Sequence, residues 1–303
     1  MQITVIIPTH NPRPGYLQRV LDALRTQTLP LADWELVIVD NASRQPVAGL
    51  VDLAWHPAAR VIREERLGLT AARLAGFAAA RGDIIVLVDD DNALAADYLA
   101  AAAQIGRDCP HLACWSGRVE LVFEPGVEPP PVAWQPYLTQ RHCTEAKWSN
   151  DPAHIDSTPW GAGMCLRRSL ADAYRRRSEE NPDLLRLDLS GTQLVYGGDT
   201  DIAYHGCKLG FGMGVFPQLH VHHLIPPERC ERAYLLRVIE GRAYSEWLHH
   251  WVLHKAVPAG EAGWPARARQ LVRWILGDAD TRAHLRARRR GHARAVRDLA
   301  DRR

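Results

Sequence analysis

The chain has 303 residues, of which 47% are hydrophobic and 24% charged, enough for one large α/β domain with an appendage or for two domains. Its formal net charge of +2 excludes a molecule that binds nucleic acid through an overall basic surface. The charge is uneven, because residues 264–303 hold twelve Arg and four Asp, a formal +8 that leaves −6 for residues 1–263.

Apolar runs alternate with helical patterns over the first ninety residues. Runs rich in Val and Ile predict buried strands, and apolar residues at helical spacing predict helices between them. The predicted strands are 3–8, 34–39, 60–63 and 84–88, and the predicted helices are 16–27 and 69–80. This order is typical of a parallel, doubly wound α/β sheet. Right-handed crossovers would bring the strand ends at Pro8, Asp40 and Asp89 to the same edge.

Three adjacent carboxylates, Asp89, Asp90 and Asp91, follow the strand at 84–88. Ligands bind outside the carboxyl ends of strands in open α/β sheets, and crowded carboxylates repel one another unless a cation joins them. Asp89 and Asp91 could reach one hard divalent ion, Mg²⁺ or Mn²⁺, with Asp90 directed elsewhere. A solvated acidic loop, or a cap for a helix that starts at Asn92, would explain the same pattern.

Further candidates follow in the second half of the chain. A helix is expected at 97–105, then a strand at 113–122 broken by Gly117. The segment from 124 to about 159 is irregular and Pro-rich at its start, and could form a wall over a site.

Two turns and a strand end carry polar or aromatic residues. Trp160 opens a glycine-rich turn, Asp199 and Asp201 follow a glycine pair and open a helix, and an extended segment ends in two adjacent histidines. Beyond a Pro-Pro pair the chain is mostly helical. We therefore expect two domains, residues 1–225 and 226–303.

Seven motifs in this order resemble family 2 glycosyltransferases of the GT-A fold. They are Val5-Ile6-Ile7-Pro8-Thr9-His10-Asn11, Val39-Asp40-Asn41-Ala42-Ser43, residues 67–76, Val88-Asp89-Asp90-Asp91, Trp160-Gly161-Ala162-Gly163-Met164, Gly198-Asp199-Thr200-Asp201 and His223. Each motif alone is weak, but seven in register are specific. The resemblance covers roughly residues 2–225 and leaves the C-terminal segment out.

The resemblance implies transfer of a sugar from a nucleoside diphosphate sugar, with a UDP-sugar favoured, to a hydroxyl acceptor with inversion, using Mn²⁺ or Mg²⁺. It also implies the following site residues: Pro8, Thr9, Asn11, Asp40, Arg73, Asp89 and Asp90 for the nucleotide and donor, Asp91 and His223 for the metal, Asp199 or Asp201 as catalytic base, and Trp160 with Gly161 for the acceptor or sugar. Gly198 stands where the family usually has Glu, and this leaves Asp201 as an alternative base.

Several of these positions also have a structural interpretation. Asp40 could close an Asx turn, and Arg73 could be a solvated helix residue. Asp199 could cap its helix, and Trp160 could belong to the core. His222 makes the metal assignment ambiguous by one residue, although strand alternation lets only one of the two histidines face the site.

Two other functions compete with sugar transfer. A sugar-phosphate nucleotidyltransferase would have a related sheet, but residues 10–15 do not reproduce its Gly-rich loop with Arg and Lys. A nucleotide-sugar-binding scaffold without a catalytic base is favoured only by Gly198.

The Arg-rich C-terminal segment has two interpretations. It could be a helical cap on the catalytic domain, or its arginines together with Trp247, Trp251, Trp264 and Trp274 could dock on an anionic membrane. The second would suit a lipid-linked acceptor, whereas a glycan acceptor requires no membrane. No nucleic-acid recognition module is present in the sequence.

Cysteine usage and hydropathy indicate a cytoplasmic location, with contact at the inner membrane face as the alternative. The six cysteines form no CxxC pair and are expected to be reduced. No apolar stretch approaches the ~20 residues that span a bilayer. Met1 leads directly into a strand, so we expect no signal peptide.

Overall fold

A computed structural model describes residues 2–187, 194–256, 274 and 276–300. The strands of this part are β1 (Ile3–Thr9), β2 (Trp34–Asn41), β3 (Ala59–Glu64), β4 (Ile84–Leu87), β5 (Asn92–Leu94), β6 (Leu112–Phe123), β7 (Lys147–Ser149), β8 (Cys165–Arg167) and β9 (Gly212–Ile225). The α-helices are α1 (Pro14–Arg25), α2 (Leu69–Ala79), α3 (Tyr98–Asp108), α4 (Arg168–Glu180), α5 (Gly198–Lys208), α6 (Pro227–Cys230), α7 (Arg232–His254) and α8 (Ala279–Ala300). The predicted alternation of strands and helices is confirmed.

The strands join into one sheet in the order β3-β2-β1-β4-β8-β6-β9-β5, with β7 paired to β9 beside this path. The first four strands in the chain are parallel neighbours, whereas β8 runs antiparallel to β4 and β6. The α/β prediction is therefore confirmed, with a parallel half and a mixed half. Because parallel strands end at the same edge, the residues that follow β1 and β4 meet there.

Helices cover both faces of the sheet because its central strands are apolar on both faces. Alternate residues of β1 face opposite sides of the sheet. Ile3, Val5 and Ile7 pack in one core with α1 and α3, whereas Ile6 packs in a second core with α2 and α4. Each buried Val, Leu or Ile side chain contributes about 1.5–3 kcal/mol, so these runs both form the strands and hold the helical layers.

The residues after the acidic run differ from one expectation. Asn92–Leu94 form β5, which pairs antiparallel with β9 and places Asn92 opposite His223. The next helix, α3, begins only at Tyr98. The acids therefore do not cap a helix that starts at Asn92, because pairing with a distant strand decides the conformation there.

The break expected at Gly117 is a shift in pairing rather than the end of a strand. β6 continues through this residue, and its register against β9 changes between Gly117 and Arg118. A Cβ at position 117 would overlap the carbonyl oxygen of Leu219. Glycine thus lets the two backbones approach closely.

Two long helices, α7 and α8, cover the second core. Gly291 of α8 lies against the backbone of Glu240 of α7 with no room for a Cβ. Leu248 of α7 and Leu299 of α8 lie in the same core as Ile6 of β1. The C-terminal helical segment is therefore confirmed, and the division of the chain at residue 225 stays a prediction.

Some arginines of α8 pair with acids of α7. Nε of Arg290 lies 2.7 Å from Oε2 of Glu240, and Nη2 of Arg288 lies 3.1 Å from Oε2 of Glu246. Exposed pairs of this kind contribute at most about 1 kcal/mol each, but they give these two arginines a role within the helical cap.

The tryptophans proposed for membrane contact have different surroundings. Trp251 is buried, Trp247 stacks on His292 with ring centroids 4.9 Å apart, and Trp274 is 41% exposed. Trp264 lies outside the described residues. In the described part of the chain, no helix is both long and apolar enough to cross a membrane.

Candidate active site

A cavity of about 690 Å³ lies at the edge of the sheet where β1 and β4 end. Its walls include the turn before β8 and the start of α5. The following predicted site residues line it: Pro8, Thr9, Arg73, Asp89, Asp90, Asp91, Trp160, Gly161, Asp199 and His223. Asn11, Asp40 and Asp201 are outside this lining.

Two of the three acids after β4 are held by neighbouring side chains. Asp89 accepts a hydrogen bond from Nδ2 of Asn92 at 2.8 Å. Asp90 accepts a hydrogen bond from the hydroxyl of Thr9 at the end of β1. The ends of β1 and β4 are thereby linked at the floor of the cavity.

The third acid, Asp91, lies between a histidine and an arginine. Its Oδ2 is 3.5 Å from Nε2 of His223 and 2.8 Å from Nη1 of Arg229. Nδ1 of His223 lies 2.9 Å from the carbonyl oxygen of Leu138 and must donate there. Its Nε2, which is 3.2 Å from the Arg229 donor, is therefore the acceptor, and this orientation is typical of a metal-binding imidazole.

Strand alternation separates the two adjacent histidines of β9. His223 lines the cavity, whereas Nε2 of His222 lies 4.0 Å from Glu120 outside it. Of the two, only His223 is placed to share a ligand with Asp91.

Crowding changes the acidity of these carboxyl groups. Burial raises the pKa of Asp90 to about 7, and the charge of Asp91 adds to this effect. Burial also raises the pKa of Asp89. For Asp91 burial acts in the same direction, but His223 and Arg229 outweigh it, so its pKa is lowered. Asp91 is therefore the acid that stays ionised most readily.

Arg73, Gly161 and Asp199 meet at another point of the cavity. Oδ2 of Asp199 accepts a hydrogen bond from the backbone N–H of Gly161 at 2.7 Å. A Cβ at position 161 would lie 2.7 Å from Nη2 of Arg73. Arg73 is buried, so it is not a solvated helix residue, and glycine at 161 leaves room for its guanidinium.

Asp199 does not cap its helix. The N-cap of α5 is Gly197, whose φ of 136° favours glycine, and no side chain caps the helix. Oδ1 of Asp199 accepts only a local hydrogen bond, from the N–H of Thr200 at 2.8 Å. The carboxylate is therefore oriented by its neighbours while it lines the cavity.

The carboxylate of Asp201 is held by side chains of two other helices, α4 and α7. It is 1% exposed and accepts hydrogen bonds from the hydroxyl of Tyr174 at 2.8 Å and from Arg177 at 2.6 and 3.1 Å. Nε2 of His249 lies 3.3 Å away. Its oxygens are thus occupied by other side chains, and Asp201 itself does not line the cavity, although its partner His249 does. The role of Asp201 as an alternative base stays a prediction.

Replacing Asp201 by asparagine is expected to lower the free energy of unfolding by about 3 kcal/mol, because Arg177 would lose its buried counter-charge. Burial alone would raise the pKa of Asp201, but hydrogen bonds from His249 and Arg177 lower it from 3.8 to about 2. A lowered pKa stabilises the fold fully above about pH 4, and this contribution is lost as the pH falls toward about 2. Urea unfolding at several pH values would measure it.

Asp172→Asn is the control, because that side chain is 44% exposed and surface changes alter stability by less than about 0.5 kcal/mol. The structural role of Asp201 would be contradicted if both variants lost the same free energy of unfolding. It would also be contradicted if the stability difference between Asp201→Asn and the wild type did not shrink at low pH.

The carboxylate of Asp40 accepts hydrogen bonds from the turn that follows β2. Its Oδ1 accepts from the N–H of Ser43 at 3.0 Å, and its Oδ2 accepts from the N–H of Val47 at 3.1 Å and from Arg63 at 2.8 Å. These bonds close the turn after β2. The carboxylate is buried and engaged within its own loop, and its contact with the nucleotide base stays a prediction.

Asn11 forms hydrogen bonds with the loop that follows β2 and does not line the cavity. Its N–H donates to Oγ of Ser43 at 2.8 Å, and its Oδ1 accepts from the N–H of Arg44 at 2.9 Å. The donor contact of Asn11 stays a prediction. His10 and Asn41 line the cavity in place of Asn11 and Asp40.

Trp160 is half-buried in the cavity wall and not in the core. The guanidinium of Arg141 lies over its ring, 4.5 Å from the centroid, and the backbone N–H of Trp160 donates to Oγ of Ser116 at 3.2 Å. The indole is thus held in place, and its stacking on a sugar stays a prediction.

Arg229 is the main residue that sequence reasoning missed. It lies on the short helix α6, two residues after Pro227, where the sequence predicts only a domain boundary. The sequence does show an arginine six residues after His223, which lies near the end of β9. It does not show that α6 turns back and brings this arginine to Asp91.

Comparison with known proteins assigns the N-terminal region. Residues 4–120 match the sequence model of Glycosyl transferase family 2. The chain carries a family 2 glycosyltransferase domain. Among curated relatives of this domain, the succinoglycan biosynthesis protein ExoW of Rhizobium meliloti is 33% identical over 108 residues, which cover 34% of this chain and 33% of ExoW. The chain spans only 12–33% of the length of the curated relatives that it matches.

Solved structures extend the likeness to the whole fold. S. aureus TarS 1-349 in complex with UDP-GlcNAc has a TM-score of 0.53 and 14% identity, covering 99% of this chain and 91% of that one. GalNAc-T7 with UDP, GalNAc and Mn²⁺ has a TM-score of 0.52 and 19% identity, covering 92% and 56%. The family 2 domain therefore has the predicted GT-A fold.

Proposed function

We propose that this domain transfers a sugar from a nucleoside diphosphate sugar, with a UDP-sugar favoured, to a hydroxyl acceptor with inversion and with Mn²⁺ or Mg²⁺. The observation that carries the proposal is one cavity lined by a carboxylate–imidazole pair, three arginines and a separate carboxylate. The reaction needs positive charge at the diphosphate and a general base at the acceptor. The cavity offers a candidate for each.

Asp91 and His223 would hold the divalent ion. Their Oδ2 and Nε2 atoms are 3.5 Å apart, near the separation of about 3 Å between adjacent ligands at bonds of about 2.1 Å. Nη1 of Arg229 donates hydrogen bonds to both atoms. Because a cationic group already lies against both atoms, the space that they face favours positive charge. A carboxylate with an imidazole fits Mn²⁺ better than Mg²⁺. A bound ion would neutralise charge on the leaving diphosphate.

Arg229 and Arg73 would contribute further positive charge. A guanidinium binds phosphate oxygens through paired N–H donors. Arg229 now pairs with Asp91 and would exchange this carboxylate for a diphosphate oxygen as the donor enters. Buried Arg73, next to Gly161, would bind the donor at the Asp199 end of the cavity.

Asp199 would act as the general base. The acceptor hydroxyl gives its proton to the Asp199 carboxylate while its oxygen bonds to the anomeric carbon. The bond from that carbon to the diphosphate breaks, and the nucleoside diphosphate leaves with the bonding electrons. A single displacement of this kind inverts the anomeric centre.

Gly198 supports one alternative, a nucleotide-sugar-binding scaffold without turnover. It stands beside Asp199 at the position where the resemblance expects Glu. The orientation of Asp199 by Gly161 and Thr200 favours activity, because these hydrogen bonds do not require that Glu.

The acceptor would be a glycan or a lipid-linked hydroxyl in polysaccharide or glycoconjugate synthesis. The match to a protein named for succinoglycan biosynthesis supports the first class. Exposed Trp274 and the formal +8 of residues 264–303 support peripheral contact with an anionic membrane for the second.

Thermal unfolding with UDP-, GDP- and dTDP-sugars in the presence of Mn²⁺ tests the donor site. We expect a UDP-sugar to stabilise most, by about 2.7 kcal/mol at a concentration about one hundred times its Kd. A flat response to UDP-sugars beside a large response to GDP-sugars would refute the UDP preference. No response to any donor would refute the site, and binding without released nucleoside diphosphate would favour the scaffold.

A further inference from the structure

A second group of metal-ligating side chains lies outside the donor cavity. Glu120 of β6 pairs directly with His222 of the parallel neighbour β9, and His220 lies two residues earlier on β9. Residues two apart on a strand share a face, so both imidazoles lie on the face that carries Glu120. His223, on the opposite face, belongs to the donor cavity.

The distances within this group suit one ion. Oε2 of Glu120 is 3.0 Å from Nε2 of His220 and 4.0 Å from Nε2 of His222. The two imidazole rings have centroids 4.3 Å apart, and the three ligand atoms all lie within 4.8 Å of one another. Tetrahedral zinc with bonds of about 2.1 Å separates its ligands by about 3.4 Å, so small side-chain rotations would complete the site.

The backbone makes this arrangement rigid. Ladder hydrogen bonds of β6 and β9 hold Glu120 beside His222, and the side chain of His220 is only 14% exposed. The group borders a cavity of about 380 Å³ that is also lined by Arg118, His142 and Cys143. The cavity leaves room for a fourth ligand, which could be water, His142 or Cys143, although Arg118 would oppose a cation in part.

We propose that Glu120, His220 and His222 form a second metal site that binds Zn²⁺. Two imidazoles and one carboxylate suit Zn²⁺, whereas the acids of the donor cavity suit harder ions. The bound ion would join β6 to β9 beside the irregular segment that follows β6. The site would be independent of donor binding, because its ligands point to the other face of β9.

Zinc binding to the full chain, stripped of metal by a chelator, tests this proposal by equilibrium dialysis with metal analysis. Glu120→Gln combined with His222→Ala should weaken binding of one equivalent of Zn²⁺ at least ~10-fold. Both side chains are partly exposed, at 60% and 39%, so this variant should fold. His220→Ala added to it should abolish that equivalent.

Two controls separate this site from other zinc ligands. His250→Ala with His254→Ala removes another pair of close imidazoles, with centroids 4.5 Å apart on α7, and should retain the equivalent. Asp91→Asn removes the ligand of the donor cavity and should also retain it. Unchanged zinc binding in the Glu120/His222 variant, or loss of the same equivalent in either control, would overturn the proposal.

Discussion

Replacing Asp91 by asparagine is expected to reduce sugar transfer by about 10³-fold, equivalent to about 4 kcal/mol of transition-state stabilisation. Asp91 is the acid whose pKa is lowered, and its Oδ2 faces both His223 and Arg229. Asparagine keeps the shape of the side chain but loses the charge that would hold Mn²⁺. Steady-state kinetics and Mn²⁺ titration by electron paramagnetic resonance would measure both losses.

Asp83→Asn is a matched control for this change. Asp83 precedes the other end of β4, and its side chain is 82% exposed, so activity and Mn²⁺ affinity should remain unchanged. If the Asp91 variant kept its activity and its Mn²⁺ affinity, the proposed metal role of this residue would be wrong.

Replacing Asp199 by asparagine is expected to lower kcat by about 10²–10⁴-fold, the usual contribution of a general base. Asparagine can still accept the hydrogen bond from Gly161, so the turn should persist and the KM for the donor should change little. Mn²⁺ affinity should also be retained, because Asp91 and His223 are untouched. Steady-state kinetics with varied donor and acceptor would separate kcat from KM.

Asp201→Asn complements this experiment, because it changes the neighbouring acid of the same helix. The Asp201 variant should lose stability but keep most of its kcat at temperatures where it is folded, whereas the Asp199 variant should do the opposite. An Asp199 variant with near wild-type kcat would exclude Asp199 as the base. Loss of kcat in a folded Asp201 variant would support Asp201 as the base instead.

The order of the first strands could be predicted because it depends on local sequence. β1, β2 and β4 are buried along their whole length, and strands of this kind are mostly apolar in sequence. Crossover connections then bring their carboxyl ends to one edge. The position of the three acids beside Thr9 follows from this rule alone, as the Asp90–Thr9 hydrogen bond illustrates.

Long-range pairing could not be predicted from local patterns. Asn92–Leu94 form a strand because they pair with β9. The same three residues in isolation are equally compatible with the start of a helix, so the local sequence does not decide their conformation. The two histidines of β9 are alike in sequence, and their separation into two sites depends on the face that each strand residue presents. The missed Arg229 reaches Asp91 only through the path of the chain after β9.

The sequence by itself determined the α/β alternation, the strand-end location of the acids and the glycine turns, because each depends on residues close together in the chain. Tertiary structure alone decided which polar side chains line the cavity. Asp40 and Asp201 look as suitable in sequence as Asp91 and Asp199, but of these four acids only the last two line the cavity, whereas the first two accept hydrogen bonds outside its lining. A carboxylate's role depends on which donors surround it, and those donors come from distant parts of the chain.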